Sequence, residues 1–374
     1  MENNICLVTW GNSINYGTCI QCYALAKYLR NQGYNVIIPD SYKYYYGINH
    51  PIETIRIVKD SIINKLIKRK KNNSNDIFQK RIESNKKFAY EVSKLISINS
   101  KSQFEEIVSK CDSFITGSDQ IWNPNYIKTP MLLSFVPSGK NKIAYASSIG
   151  VNELPNNKKR MYKKYLNRFD YIGVREKTAK EILKELTNID IQVVLDPSFL
   201  IDKDDWEKIA KKPVDIDEKD EFVFGYFIGD ARRNEEIIKT FLEKNSYKLY
   251  YAISENNIKY SFGNGNVDYG VEEFIWCLLH AKYIITDSFH ATALSINFNK
   301  NFFVLQRFLN TDKKSQNSRI YDLLSLFNLL NYAEAENTKL DNIVMEIDYN
   351  KVNNQLGYLR KESYNYLNNA LKGN

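Results

Sequence analysis

ICLVTWGNSINYGTCIQCYALAKYLRNQGYNVIIP, residues 5–39, changes its hydrophobic period twice, and those changes decide the fold class. Ile5–Trp10 is an apolar run of strand length. From Gly17 to Asn31 the apolar Ile20, Ala24 and Tyr28 recur at four-residue steps, the spacing of one helix face, and Gly33 stops the helix. Val36–Pro39 is short and apolar again. Strand, helix, strand in one short stretch is the unit of a parallel sheet, whose neighbours need a crossover connection.

The same rhythm continues outward. Ser113–Thr116, Ile143–Ser147, Tyr171–Val174 and Gln192–Leu195 are further strand candidates, and Asp196-Pro197 closes the last because a residue before proline is pushed away from helix. After the charged stretch PVDIDEKDE (213–221) the rhythm restarts with Phe222–Ile228, Tyr247–Ala252, Tyr283–Thr286 and Phe302–Leu305. The chain of 374 residues therefore reads as two α/β units joined near 197–220. We assign 1–200 to the first domain, with a basic helical insertion at about 50–98, and 201–335 to the second; a helical segment, 336–374, is expected to return to the first domain.

Composition narrows the class. Hydrophobic residues at 43% and charged residues at 26% are those of a globular chain. Five scattered cysteines argue against a disulfide framework, no secretory signal is visible in MENNICLVTW, and no apolar run reaches membrane-spanning length, so a cytoplasmic protein is expected. Between Arg56 and Lys94 stand 12 Lys or Arg against 4 Asp or Glu, so the whole formal charge of +8 is local. No nucleic-acid motif accompanies it, and no nucleic-acid partner is expected. Val58, Ile62, Ile63, Leu66 and Ile67 recur there at helical spacing and end in KRKK (68–71). That pattern suits either a solvated helix packed on the first domain or peripheral contact with an anionic membrane.

In open parallel sheets ligands collect at the carboxyl ends of strands, so the residues just after each strand hold the chemistry. Gly11, Asn12, Asn15, Tyr16 and Gly17 form a loop running into a helix N-terminus, which suits an anion. GSDQIW places Ser118, Asp119, Gln120 and Trp122 at a strand end, with indole available to stack on a sugar. Ser147 and Ser148 end the next strand, and their hydroxyls suit either a ligand or a helix cap. Arg175 follows another, and its planar fork matches carboxylate or phosphate. In YIITDSFHATALS (283–295), Asp287, Ser288 and His290 crowd the end of an apolar strand. Of the other histidines, His280 reads as structural and His50 as a loop residue; the CxxC of Cys19 and Cys22 falls on a helix face, and no metal site is expected.

Taken jointly and in this order, GNSINYGTCIQCYAL, GSDQIWN, YASSIG, VREKT, LDPSFL, ITDSFHATALSI and NSRIYDLL resemble the polysaccharide pyruvyl transferase family from about residue 9 to about 324. The resemblance implies two Rossmann-like domains facing across a cleft, as in GT-B glycosyltransferases. It also implies transfer of pyruvyl from phosphoenolpyruvate, the donor substrate, to a sugar of a cell-surface polysaccharide or its lipid-linked precursor, usually as a ketal; no cofactor is expected. The family's mid-chain arginine falls on Arg175 and its catalytic histidine on His290, with Asp287 a candidate to orient the imidazole. Where some members carry an arginine two residues before that histidine, this chain has Ser288. Arg307 and Arg319 are the candidates for the missing charge, because one guanidinium cannot neutralise both a phosphate and a carboxylate. Ser118, Asp119, Gln120, Trp122, Ser147 and Ser148 are expected to line the cleft or the acceptor. A polyprenyl-diphosphate-linked acceptor would suit an enzyme docked at the membrane. A GT-B glycosyltransferase using a nucleotide sugar, or a non-catalytic sugar-binding relative, are the alternative readings.

Overall fold

The computed structural model describes residues 3–40, 77–217, 219–254, 258–308, 317–334 and 346–372. Seven strands, β1 (Asn4–Val8), β2 (Asn35–Asp40), β3 (Leu95–Ser97), β4 (Ser113–Thr116), β5 (Asn141–Ser147), β6 (Tyr171–Val174) and β7 (Ile191–Val193), form one sheet in the order β3-β2-β1-β4-β5-β6-β7. Five more, β8 (Phe222–Tyr226), β9 (Lys248–Ala252), β10 (Asn264–Asn266), β11 (Tyr283–Thr286) and β12 (Asn301–Val304), form a second in the order β10-β9-β8-β11-β12. Every pairing is parallel; Ile5, for example, sits between Val36 and Ser113.

The strands absent from the sequence reading are β3 and β10, both at sheet edges. Asn264-Gly-Asn carries no apolar signal, and it pairs through its backbone with Tyr250–Ala252 while the Tyr251 ring lies against Gly265. The first strand is shorter than its apolar run, ending at Val8. Past that point the Gln21 side chain takes over, donating to the Trp10 carbonyl at 2.7 Å and accepting from Ser118 N at 3.0 Å.

The strand order reverses direction beside β1 in the first sheet and beside β8 in the second. At such points the loops on either side diverge and leave a crevice. The loops after β1 and β4 therefore open one crevice, and those after β8 and β11 the other.

The first helix, Tyr16–Asn31, starts on an Asn15 cap that accepts from Gly17 N, and ends where Gly33 adopts φ +86°. It is buried nearly all round, not along one stripe, because the second domain covers the face the first sheet leaves free. Tyr16 carries that contact: its ring stacks on Phe274 at 4.2 Å and its hydroxyl donates to the Tyr269 carbonyl at 2.6 Å. Trp206 sits between Tyr23 and Phe298.

The helix Tyr349–Lys372 lies on the first sheet, although it follows the second in sequence. Tyr366 donates to the Ala144 carbonyl at 2.7 Å, Asn141 donates to the Ala370 carbonyl at 2.7 Å, and Ser363 accepts from Leu195 N. Gly173 makes room for the Tyr366 ring, since a Cβ there would come within 2.9 Å of it.

Most of the basic insertion, including the apolar set at 58–67 and KRKK at 68–71, lies outside the described residues. Its helix Gln79–Lys87 contains a cation that is not solvated. Arg81 is 1% exposed, donates to the carbonyls of Ile253 and Tyr269, and lies over the Tyr16 ring. Among the described residues no helix is long and apolar enough to cross a membrane.

The returning helix should be a large part of the first domain's stability. Tyr366→Ala should destabilise the protein by about 3–5 kcal/mol and Tyr366→Phe by only about 1 kcal/mol, because the latter keeps the packing and loses one hydrogen bond. Urea unfolding midpoints check this, and equal midpoints for the two variants would contradict it.

Candidate active site

Residues of the two domains meet at His290, which touches Gly17 and approaches Asp196 of the first domain. The histidine follows β11 in the first turn of the helix Phe289–Asn297, with its side chain 9% exposed. Gly17, in the first turn of the opposite helix, touches it: a Cβ at residue 17 would lie 2.1 Å from His290 Nδ1. No side chain fits there, so glycine is required by contact and not by backbone conformation.

The carboxylate beside the imidazole is that of Asp196, with Oδ2 at 3.6 Å from His290 Nε2. Asp196 is fully buried and accepts from Arg175 Nη1 at 2.9 Å, Ser118 Oγ at 3.2 Å and Ser198 N at 3.0 Å. Burial pushes its carboxyl up, but His290, Arg175 and the Ser198 amide outweigh this and hold it well below the usual carboxylate range. The sequence reading passed over Asp196 as a strand-closing residue before proline. Its signal was the same as that of Arg175, a charged side chain just past an apolar strand.

Arg175 is buried, with its Cζ 4.1 Å above the Phe289 ring and its Nε 3.7 Å from Glu176 Oε2. Burial alone would lower its pKa, yet Asp196, Glu176 and Asp119 raise it. Its Nη2 has no hydrogen-bond partner among the described residues. Glu176, also missed in the sequence, accepts from Ser148 Oγ, Ile149 N and Gly150 N, which fixes the loop after β5.

Two more guanidinium groups border this cluster. Arg319 is 6% exposed, and burial, with Arg175 and Arg307 adding repulsion, pushes it down to about 10. It stays cationic at neutral pH. Arg307 lies 3.4 Å from Asp287 Oδ2 and donates to the Asp287 carbonyl at 2.8 Å. Asp287 does not orient His290, as the sequence suggested. Its carboxylate accepts from Ile228 N and Gly229 N, both at 2.7 Å, tying the loop after β8 to β11.

Of the other sequence candidates, Asp119 joins the cluster: it accepts from Thr18 Oγ1 at 2.9 Å and acts electrostatically on Arg175 and Arg319. Gln120 is half-buried beside it. Several others do not face the cleft. Trp122 is fully buried against Phe169 and donates to the Met131 carbonyl, so it offers no sugar platform. Tyr16 is the interdomain contact described above, and Gly11 is packed against Cys22 and Leu95. Ser147 donates to the Thr116 carbonyl, Ser148 to Glu176, and Ser118 to the Ala146 carbonyl and Asp196; all three are fully buried. Ser288 caps the helix that carries His290, and Asn15 caps the first helix. Asn12 is exposed and reaches Asp40 at 3.3 Å. Cys19 and Cys22 are buried thiols in the first helix, and His280 is an exposed ring stacked on Trp276. His50 lies outside the described residues. Among the described residues no group of three or more His, Cys, Asp or Glu is placed to hold a metal ion.

A family profile described as Polysaccharide pyruvyl transferase matches residues 15–307. No curated protein matches the chain by sequence. Among solved structures, a Listeria monocytogenes protein described as a UDP-N-acetylglucosamine 2-epimerase is similar over 100% of this chain and 98% of its own, with TM-score 0.54 and 10% identity. A Neisseria meningitidis UDP-GlcNAc 2-epimerase bound to UDP-GlcNAc is similar over 99% and 97%, with TM-score 0.48 and 9% identity. At such identity the likeness concerns the fold alone: two parallel-sheet α/β domains in a GT-B-like arrangement.

Gly17→Ala should leave the protein folded but displace the imidazole, reducing turnover as far as His290→Ala does; a near-normal rate would show that the contact is dispensable. Asp196 makes a prediction about acid. Its folded carboxyl titrates below its unfolded value, so its stabilising contribution is complete above about pH 4 and is lost as pH falls from there towards the folded value. Thermal unfolding should therefore show a steep loss of stability below about pH 4 in the wild type, and a shallower one in an Asp196→Asn variant that is already weaker at neutral pH. Parallel pH profiles would contradict the coupling.

Proposed function

Given that the chain belongs to the polysaccharide pyruvyl transferase family, we propose that it transfers the pyruvyl group of phosphoenolpyruvate to hydroxyls of a sugar in a cell-surface polysaccharide or its lipid-linked precursor, closing a pyruvate ketal. The observation that carries this reading is the convergence of His290 and Arg175 on one oxygen, Oδ2, of the buried carboxylate of Asp196, with Arg307 and Arg319 as further cations beside them. A donor bearing both a phosphate and a carboxylate needs more than one guanidinium, and the cluster supplies three. The unpaired Nη2 of Arg175 is available for one of these anionic groups.

The chemistry follows from the donor. Phosphoenolpyruvate is an enol ester, and a proton delivered to its methylene carbon leaves the adjacent carbon electrophilic. A sugar hydroxyl adds to that carbon and gives up its proton. A second hydroxyl then displaces the phosphate, whose leaving oxygen takes the bonding pair and a proton. The sum is donor plus diol to ketal plus inorganic phosphate. We assign the giving and taking of these protons to His290, whose Nε2 lies 3.6 Å from Asp196 Oδ2. Asp196 acts through its neighbours: it balances the charge of Arg175 and stabilises the imidazolium whenever it forms. Arg175, Arg307 and Arg319 would hold charge that develops on the departing phosphate.

His290→Gln should lower turnover by roughly 10²–10⁴-fold while phosphoenolpyruvate still raises the thermal unfolding midpoint. Arg175→Lys should weaken that donor-induced shift, because an ammonium cannot reproduce the fork. Stabilisation of the wild type by a nucleotide sugar and not by phosphoenolpyruvate would replace this reading with glycosyl transfer.

A further inference from the structure

Beside the arginine cluster is a corner of different chemistry. Trp10 follows β1 and is half-buried, with its backbone held by the Gln21 amide. Tyr126 is 43% exposed and stands next to it, the ring centroids 5.8 Å apart and tilted by 41°. The Tyr126 hydroxyl donates to Gln120 Oε1 at 3.0 Å. Partial burial and Asp119 push its phenol up, with Arg319 and Arg175 pulling it the other way, so the ring lies within electrostatic reach of the cluster. The corner also connects to the imidazole along the chain: Asp119 accepts from Thr18, and the residue before Thr18 is the glycine pressed against His290.

These groups differ from the donor pocket in sign and shape. Three guanidinium groups suit an anion, whereas Asp119 offers acceptor oxygens beside two aromatic faces, and Gln120 Oε1, which accepts from Tyr126 and Asn123, holds the Tyr126 ring in place. A carboxylate repels phosphate or diphosphate but accepts from hydroxyls. A tilted pair of rings also suits a puckered ring with an apolar C–H face better than a flat base needing a parallel sandwich. The platform that the sequence placed on Trp122 thus falls on a different tryptophan, because Trp122 is consumed in the core.

We propose that Trp10, Tyr126 and Asp119 form the acceptor subsite, seating an uncharged pyranose with its C–H face on the aromatic corner and its hydroxyls towards Asp119 and the imidazole. The proposal rests on the transferase reading for the identity of the second substrate, but binding tests it separately. The full chain is titrated with methyl hexopyranosides, N-acetylated ones included, and binding is read by saturation-transfer NMR. Donor binding is followed in parallel by the thermal shift with phosphoenolpyruvate. At least one pyranoside should bind the wild type. Trp10→Ala and Tyr126→Ala should each weaken it by about tenfold or more. Trp10→Phe should lose less, and the phosphoenolpyruvate shift should persist in every variant. Undiminished pyranoside binding in both alanine variants, or binding of uridine diphosphate at this corner with no pyranoside bound, would overturn the proposal, as would a wild type that binds none of the panel. Absence of a phosphoenolpyruvate shift in the wild type would instead count against the donor reading, leaving the pyranoside result to decide the subsite.

Discussion

One buried carboxylate organises the centre of this protein. Asp196 lies at the end of the first domain's last strand region, yet it reaches a side chain of the first domain, Arg175, and one of the second, His290. A carboxylate taken out of water is costly unless nearly every lone pair is answered, and here a guanidinium, a hydroxyl and a backbone amide answer it. The satisfaction of that charge fixes where Arg175 and His290 stand. The fork of Arg175 is further confined by the Phe289 ring above it and by Glu176 beside it. The groups of the cleft are therefore held by each other before any ligand arrives, which is the condition for electrostatic assistance without reorganisation.

The same economy of contact governs the seam between domains. Gly17 allows the imidazole to lie directly on the first helix, and Tyr16, one residue earlier, inserts its ring among second-domain aromatics. Arg81 then closes the far side, its charge answered by carbonyls and ring faces and, among the described residues, by no carboxylate. Guanidinium tolerates such a place better than ammonium would, being more weakly hydrated. The returning helix Tyr349–Lys372 covers the first sheet, so the chain crosses between domains twice.

Charge in the cleft is uneven in a way that matters for recognition. Asp287, Asp196 and Glu176 are each engaged by donors within the protein, while Arg175 keeps a free edge and Arg319 feels two neighbouring cations. On the other side of Asp119, the exposed ring of Tyr126 and the half-buried Trp10 carry no charge at all. An anionic substrate and a neutral one would thus be sorted by the field of the cleft before either met the imidazole.

The sequence alone determined the α/β class, the two units and, to within a few residues, ten of the twelve strands among the described residues, because an apolar run followed by a helical period is local information. It also placed Arg175 and His290 at strand ends, since that position depends only on chain order. What it could not determine was which way a strand-end side chain turns. Trp122, Ser147 and Ser148 stand at strand ends as much as Arg175 does, and they face inward, while Asp196 and Tyr126 drew no attention and face the cluster or its rim. Nor was it legible that Asp287 would clasp a neighbouring loop, or that Gly17 serves a histidine far along the chain. Those choices are made between residues separated by many turns of chain, where packing and the satisfaction of buried charge select the partner. Only the tertiary structure brings the partners together, so only it could decide them.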